Sequence, residues 1–205
     1  MRLIISLVAF ISMVSTNIDH VDLNLTNDEI AFTFFDLSDG EAALIQNTEQ
    51  NVLINTGSKM AEYELFERLR MYGVDHIERL IITNSAQAYT GNLEEVLQTY
   101  NVKTLFSSKA IIDDLEKRVD LSGVDLHIWA DGKQSDVLPG LKTNVLYETP
   151  SETESPDDKA LVVRLRYGED KVLYMGLADR KVERQLIDSP LIDCEILKVG
   201  DFGKE

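Results

Sequence analysis

Short apolar runs separated by polar turns dominate the chain after residue 30. Three of them, rich in β-branched and aromatic residues, predict a meander of three strands over 31–36, 43–46 and 52–55. Ser58 can then cap a helix that extends to Tyr72. On that helix Leu65 and Leu69 fall on one face, and Gly73 supplies the stop. The helix is therefore predicted to pack on a sheet.

The middle of the chain alternates between strands and helices. The apolar run 80–83 is typical of a strand in the centre of a sheet that is covered on both faces. A polar loop is predicted over 84–90. A helix at 91–100, a strand at 102–106 and a helix near 108–119 follow it. This βαβαβα order favours an α/β fold with helices on a sheet.

The last third is again rich in predicted strands, which fall at 126–129, 142–147, 161–166 and 172–175. The turn 167–170 joins the last two as a hairpin. A helix over 179–187 and a strand over 195–199 complete the pattern. The stretch 150–159 contains two prolines and several carboxylates, which predicts a mobile surface loop.

The N-terminus has the pattern of a targeting segment. Arg2 precedes an apolar run from Leu3 to Val14, which is typical of a secretory signal or a membrane anchor over residues 1–16. The run is shorter than the roughly 20 residues that span a bilayer, and a buried terminal strand or helix would share its composition. Polar residues over 17–29 predict a linker, and the domain is predicted at 30–205. We therefore expect an extracytoplasmic protein, secreted or N-terminally anchored, that meets a membrane only through this segment.

The net charge of the chain limits the kinds of partner it can bind. The chain has 36 acidic and 20 basic residues, which give a formal net charge of −16. Such a chain repels a polyanion unless its few cations gather on one face, so nucleic-acid binding is not expected. Cys194 is the single cysteine and cannot form an intramolecular disulfide; its apolar neighbourhood favours a packed thiol.

Several short motifs occur in an order that resembles the metallo-β-lactamase superfamily. The run Phe34-Phe-Asp-Leu-Ser-Asp-Gly-Glu-Ala42 is similar to "FFDVGQGDA", 53–57 to "LIDTG", 80–83 to the "LILT" strand and 197–200 to "LKVG". These sequences are found in the hydrolase domain of bacterial DNA-internalisation competence proteins and their secreted relatives. The resemblance implies an αββα sandwich of metallo-β-lactamase type.

The resemblance also implies that the sandwich is incomplete. The family continues after its last motif with a further strand and helix, so we expect the C-terminal elements to be missing. An uncovered edge or apolar face would then favour a protein partner or a homodimer that covers it. A truncated, non-functional relative is an alternative interpretation.

The family's metal ligands have no counterparts at the matching positions. Its loop of pattern H-x-H-x-D-H after the "LILT" strand holds metal ions that activate a water molecule. The matching positions here, with those of the later Gly-Asp and His-His motifs, are Asn84, Ala86, Ala88, Tyr89, Leu177, Asp201 and Phe202. Alanine and leucine side chains have no ligand atom, and amides and neutral phenols bind zinc poorly. We therefore expect no bound metal, no other cofactor and no catalytic residue.

Oxygen-bearing side chains around the old site leave another chemistry open. We expect a vestigial pocket, joined by Asn84 and Asp201, whose members are Asp36, Asp39, Asn55 and Asp179. Oxygen ligands suit Ca²⁺ or Mg²⁺ better than Zn²⁺, so a residual phosphodiesterase-like hydrolase that uses a hard cation is the enzymatic alternative. The favoured hypothesis is a non-catalytic domain that binds a protein or a ligand.

Overall fold

The computed structural model describes residues 20–200, in which the strands form two sheets. The first sheet has six strands in the order β1-β2-β3-β4-β5-β6. Its first three strands are antiparallel, as the predicted meander requires, and β3 to β6 are parallel. The strands are β1 (Ala31–Phe34), β2 (Ala43–Gln46), β3 (Asn51–Ile54), β4 (Arg79–Ile81), β5 (Thr104–Ser108) and β6 (Asp125–Trp129).

The second sheet has five strands in the order β11-β10-β9-β8-β7. Neighbours from β7 to β10 are antiparallel, the predicted hairpin joins β9 to β10, and β11 lies parallel to β10. The strands are β7 (Gln134–Leu138), β8 (Leu141–Glu148), β9 (Leu161–Tyr167), β10 (Asp170–Tyr174) and β11 (Ile196–Lys198). The sequence did not predict β7, because only Val137 and Leu138 are apolar in it and both lie at its end.

Helices connect the parallel strands and follow β10. They are α1 (Glu62–Met71), α2 (Gln87–Thr90), α3 (Leu93–Tyr100), α4 (Lys109–Leu115) and α5 (Arg180–Leu186). The Ser58 hydroxyl accepts from the Met60 N–H, so it caps a short 3-10 turn that leads into α1. The predicted loop 84–90 is wrong in part, since its second half is the helical turn α2 and most of its residues are buried.

The packing confirms the αββα sandwich. One large apolar cluster lies between the sheets and includes Leu53 of the first sheet and Val163 of the second. The helices α1, α3 and α4 add residues such as Leu69 to it. A smaller cluster joins the second sheet to α5 through Leu173 and Leu186. Each sheet therefore packs on the other sheet with one face and against helices with the other, as expected for an αββα sandwich.

The stretch 150–159 is not exposed throughout. Its last part forms the 3-10 turn Pro156–Asp158, and Lys159 is only 3% exposed. The prediction of a surface loop is therefore wrong at Lys159. Burial of this lysine is possible because its ammonium group finds a carboxylate on α4.

Two predictions concern segments outside the described residues. The targeting segment at 1–16 is one, and the positions Asp201 and Phe202 are the other. Within residues 20–200, no helix is both long enough and apolar enough to cross a membrane.

Gly40 lies just before β2, and its substitution by alanine is expected to destabilise the fold. It has a φ of +81°, and an added Cβ would lie 2.3 Å from the Ser58 nitrogen and 2.4 Å from the Ala88 oxygen. Gly40→Ala should lower the free energy of unfolding by about 2–3 kcal/mol, because both contacts are with backbone and the φ is strained. Urea unfolding measures the loss.

Gly73 provides the matched control. Its φ is +68°, but a Cβ there would meet nothing within 4 Å. Gly73→Ala should therefore cost only about 1 kcal/mol, from backbone strain alone. Equal losses in the two variants would show that the close approach at Gly40 does not matter.

Candidate functional site

The loop that follows β4 occupies the position where the resemblance places the metal ligands. Asn84 is fully buried, and its side-chain amide bonds with main-chain groups. The Oδ1 atom accepts from the Ala86 N–H at 2.5 Å, and Nδ2 donates to the Pro156 oxygen at 3.0 Å and to the Lys159 oxygen. Asn84 therefore fastens the segment 156–159 to this loop.

The other residues of this loop form backbone hydrogen bonds with neighbouring segments. The Ala86 oxygen accepts from the N–H groups of Tyr89 and Thr90, and the Ala88 oxygen accepts from the Glu41 N–H at 2.9 Å. Tyr89 is 1% exposed, and its carbonyl oxygen accepts from the Thr56 N–H at 2.7 Å. The backbone of the loop thus joins the segments that flank β2 and β3.

Asn55 locks the end of β3 to the end of β4. It is fully buried with a φ of +59°, in the left-handed region where asparagine is enriched. Its Oδ1 atom accepts from the Thr83 N–H at 2.9 Å, and Nδ2 donates to the Thr83 hydroxyl at 2.9 Å and to Glu41 Oε1 at 3.2 Å. The side chain acts here as a neutral bridge between strand ends.

A buried carboxylate lies beside Asn55. Glu41 is 6% exposed, and its Oε1 accepts from the Tyr174 hydroxyl at 2.6 Å, while Oε2 pairs with the Lys198 ammonium group. Burial raises the pKa of Tyr174, which keeps its hydroxyl protonated as a donor. We call Glu41, Asn55, Tyr174 and Lys198 the Glu41 cluster. It connects the segment before β2 with β10 and β11.

A second buried carboxylate supports the loop from the other side. Asp114 Oδ2 accepts from the Ser85 hydroxyl at 2.8 Å and from Lys159 Nζ at 2.5 Å, and Oδ1 accepts from Lys117 Nζ at 2.9 Å. Burial alone would raise the pKa of Asp114, but the hydrogen bonds from Lys159, Lys117 and Ser85 lower it to about 2. We call Ser85, Asp114, Lys117 and Lys159 the Asp114 cluster.

The residues predicted to form a vestigial pocket have separate local roles. Asp36 is exposed, and Asp39 accepts a hydrogen bond from the Ser58 hydroxyl. Asp179 caps α5 through the N–H groups of Lys181 and Val182. Among residues 20–200, no group of three or more His, Cys, Asp or Glu side chains could hold a metal ion.

Leu177 lines a cavity of about 570 Å³ together with Asp179 and Glu148. Burial raises the pKa of Glu148, and the neighbouring charge of Asp131 adds to the rise, while a backbone hydrogen bond from Asp131 opposes it. Leu177 itself is half-buried and contributes an apolar wall.

The donor set of the loop does not fit zinc. Protein zinc ions are held by Cys, His or carboxylate side chains. Asn84 directs its amide to main-chain groups, and Ala86 and Ala88 have no donor atom in their side chains.

Sequence reasoning missed the two charged clusters. Glu41 stands directly before the apolar run 42–45, and Lys198 lies in the short strand β11 beside Leu197. A charged residue that adjoins or interrupts an apolar run is a signal for a buried ion pair, because a charge buried alone would be costly. The partner could not be named from that signal.

Solved structures show the fold of this chain. It is similar to MEM-A1, a subclass B3 metallo-β-lactamase isolated from a soil metagenome library, with a TM-score of 0.60, 13% identity, and coverage of 88% of this chain and 80% of that one. The Rm3 metallo-β-lactamase gives a TM-score of 0.55 at 12% identity, over 83% of this chain and 72% of that one. Zn²⁺-bound PqqB from Methylobacterium extorquens gives 0.53 at 12% identity, over 71% and 56%. The chain therefore has the metallo-β-lactamase fold.

A sequence relative agrees with the motif-based resemblance. ComE operon protein 3 from Bacillus subtilis (strain 168) is 23% identical over 193 residues, which are 83% of this chain and 25% of that protein. The chain thus spans about a quarter of the length of this relative. No protein-family model matches the chain.

Proposed function

We propose that this chain is a non-catalytic domain of metallo-β-lactamase fold that acts outside the cytoplasm by binding a protein or another ligand. The observation that carries the proposal is the loop after β4. In this loop Asn84 directs its amide to the main chain of Ala86, Pro156 and Lys159, where the enzymes of the fold would need a metal ligand.

The two charged clusters support the same proposal. In each, a lysine ammonium group from the second sheet or its connecting loop pairs with a carboxylate near the first sheet, Asp114 on α4 or Glu41 before β2. These ion pairs and the Asn84 hydrogen bonds connect the two halves of the sandwich. Their side chains already have partners within the chain, which supports a structural rather than a catalytic role for them.

The proposed extracytoplasmic location is supported by the N-terminal sequence. The proposed binding partner is supported by an exposed edge strand. The run from Leu3 to Val14 favours export or anchoring outside the cytoplasm. Ile196, Leu197 and Val199 are 46%, 54% and 46% exposed at β11, the edge strand of the second sheet. Apolar side chains on an edge strand are suited to contact with a protein partner or with a second copy of the chain.

Turnover assays test the proposal against the enzymatic alternative. The full chain, purified without chelators, is incubated with ester, β-lactam and phosphodiester substrates in the presence of Zn²⁺, Mg²⁺ or Ca²⁺. We expect no metal-dependent hydrolysis, while a metallo-β-lactamase assayed in parallel is active. Hydrolysis that Mg²⁺ or Ca²⁺ stimulates, and that Asp201→Ala abolishes, would overturn the proposal in favour of a hard-cation hydrolase.

A further inference from the structure

The outer face of the second sheet is only partly covered by α5. The short helix packs Val182 and Leu186 against apolar residues such as Leu146 and Val162. Farther along the same strands the outward positions are polar. Asn144 follows this pattern on β8, and Arg164 follows it on β9.

Three cations gather on this uncovered part. Lys142 stands opposite Arg166 across the β8–β9 pair, and Asn144 stands opposite Arg164. Together they line a cavity of about 670 Å³, to which β7 adds the amide of Gln134. We call Lys142, Arg164 and Arg166 the cationic cluster.

None of these three side chains forms a salt bridge with a carboxylate of the described residues, whereas six of the lysines do. Salt bridges within residues 20–200 engage Lys59, Lys109, Lys117, Lys159, Lys171 and Lys198. In the same part of the chain, no salt bridge engages the cationic cluster. Lys142 stands between Arg166 on β9 and Asp136 on β7, so an unfavourable like-charge pair is offset by an opposite-charge pair.

The hydrogen bonds of the two guanidinium groups are also incomplete. Arg164 Nη2 reaches Asn144 Oδ1 at 3.5 Å, and its buried Nε has no acceptor among the described residues. Arg166 Nη1 donates to the Gly168 oxygen at 2.8 Å. Two carboxylates lie nearby. Asp136 stands opposite Lys142, and Asp193, whose pKa is lowered mainly by its hydrogen bond from Lys171 at 2.7 Å, is also affected by the charge of Arg164. Within the described part of the chain, neither forms a salt bridge with the three cations.

We propose that the cationic cluster and the amides of Gln134 and Asn144 form a binding site for a phosphate group. Guanidinium and ammonium groups are the side chains that bind phosphate oxygens most strongly, and amide N–H groups add donors. The formal net charge of −16 opposes polyanions, which favours a small phosphate compound, and a phospholipid headgroup is the second source of the same chemistry. This site lies apart from the loop after β4, so its failure would leave the proposed function untouched.

Calorimetric titration of the full chain with inorganic pyrophosphate tests the site. We expect saturable binding that weakens at least about tenfold in the variant Lys142→Gln/Arg166→Gln, because two charged donors are lost. The variant Lys103→Gln/Lys109→Gln removes the same net charge from other parts of the surface and should bind like the wild type. Equal weakening in both variants would mean that net charge alone decides binding, which would overturn the proposal.

Thermal unfolding separates a binding role from a structural one. In phosphate-free buffer, Lys142→Gln/Arg166→Gln should melt close to the wild type, because removal of the like-charge pair offsets the loss of the Asp136 pairing and of the Arg166–Gly168 hydrogen bond. Pyrophosphate should raise the Tm of the wild type and not that of the variant. A variant that melts lower without phosphate and responds to pyrophosphate as the wild type does would contradict the site.

Vesicle sedimentation distinguishes the two sources of phosphate. Binding to phosphatidylglycerol vesicles that is absent with phosphatidylcholine and is lost in the double variant would identify a headgroup as the ligand. Pyrophosphate binding without vesicle binding would identify a small phosphate compound. Either result supports the phosphate site, and binding to neither probe overturns it.

Discussion

Asp114→Ala is expected to lower the free energy of unfolding by about 3–5 kcal/mol, because it leaves a buried ammonium group without its counter-charge. Lys159 is 3% exposed, and its Nζ lies 2.5 Å from Asp114 Oδ2. Its other hydrogen bond goes to the neutral Ala110 oxygen at 3.3 Å. The Ser85 hydroxyl also loses its acceptor. Urea unfolding of the full chain at neutral pH measures the loss.

The double variant Asp114→Ala/Lys159→Met is the matched control. It removes both charges and fills the lysine site with an apolar side chain of similar length, so most of the lost stability should return. A double variant that is as unstable as Asp114→Ala would show that the buried charge of Lys159 is not the cause.

The difference in unfolding free energy between the wild type and Asp114→Ala is expected to depend on pH. Hydrogen bonds hold the pKa of Asp114 at about 2, below its ordinary value of 3.8. A carboxylate with a lowered pKa stabilises the folded state above its unfolded pKa, and this contribution disappears as the pH falls from about 4 to about 2. The stability difference between wild type and Asp114→Ala should therefore shrink over that range. A constant difference would contradict the assignment.

Glu41→Ala is expected to cost about 3 kcal/mol, because one carboxylate serves several partners in the Glu41 cluster. The fully buried Tyr174 hydroxyl loses the oxygen to which it donates at 2.6 Å, and the Lys198 ammonium group loses the carboxylate that binds it. Urea unfolding with matched wild-type samples measures the effect.

Tyr174→Phe separates the hydrogen bond from the ion pair. It removes the hydroxyl and keeps the pair between Glu41 and Lys198, so the loss should be about 1 kcal/mol. Glu41→Gln keeps the side-chain shape but removes the charge and should fall between the other two variants. If Tyr174→Phe were as damaging as Glu41→Ala, the ion pair would contribute little.

The sequence predicted the elements well where apolar periodicity is strong. The meander, the apolar strand β4 and the β9–β10 hairpin all carry long enough apolar patterns to be recognised. The strand β7 was not predicted because its apolar residues, Val137 and Leu138, come only at its end. The helix α2 was not predicted because four residues are too few for a helical pattern of apolar residues to be recognised.

The charged clusters could not be predicted because they depend on contacts far apart in the chain. Lys159 and Asp114 are 45 residues apart, and Lys198 and Glu41 are 157 residues apart. The sequence placed Lys159 in a loop rich in carboxylates, where a solvated lysine is the ordinary expectation. Only the folded sandwich brings these pairs together.

The motif comparison gave the position of Asn84 but not its role. Sequence shows an amide where the family has a histidine. The structure adds that this amide joins the loop to Pro156 and Lys159, in a segment that the sequence predicted to be mobile. Asn84 thus attaches a neighbouring loop from the position where the resemblance places a metal ligand.

The zinc content of the full chain tests the central claim most directly. Protein purified without chelators is dialysed to equilibrium against buffer with micromolar zinc, and bound metal and protein are then quantified in the same samples. The loop after β4 offers Asn84, Ala86, Ala88 and Tyr89 where the fold's metal enzymes need ligands, so bound zinc should stay well below one ion per chain. One or two tightly bound zinc ions per chain would contradict the account.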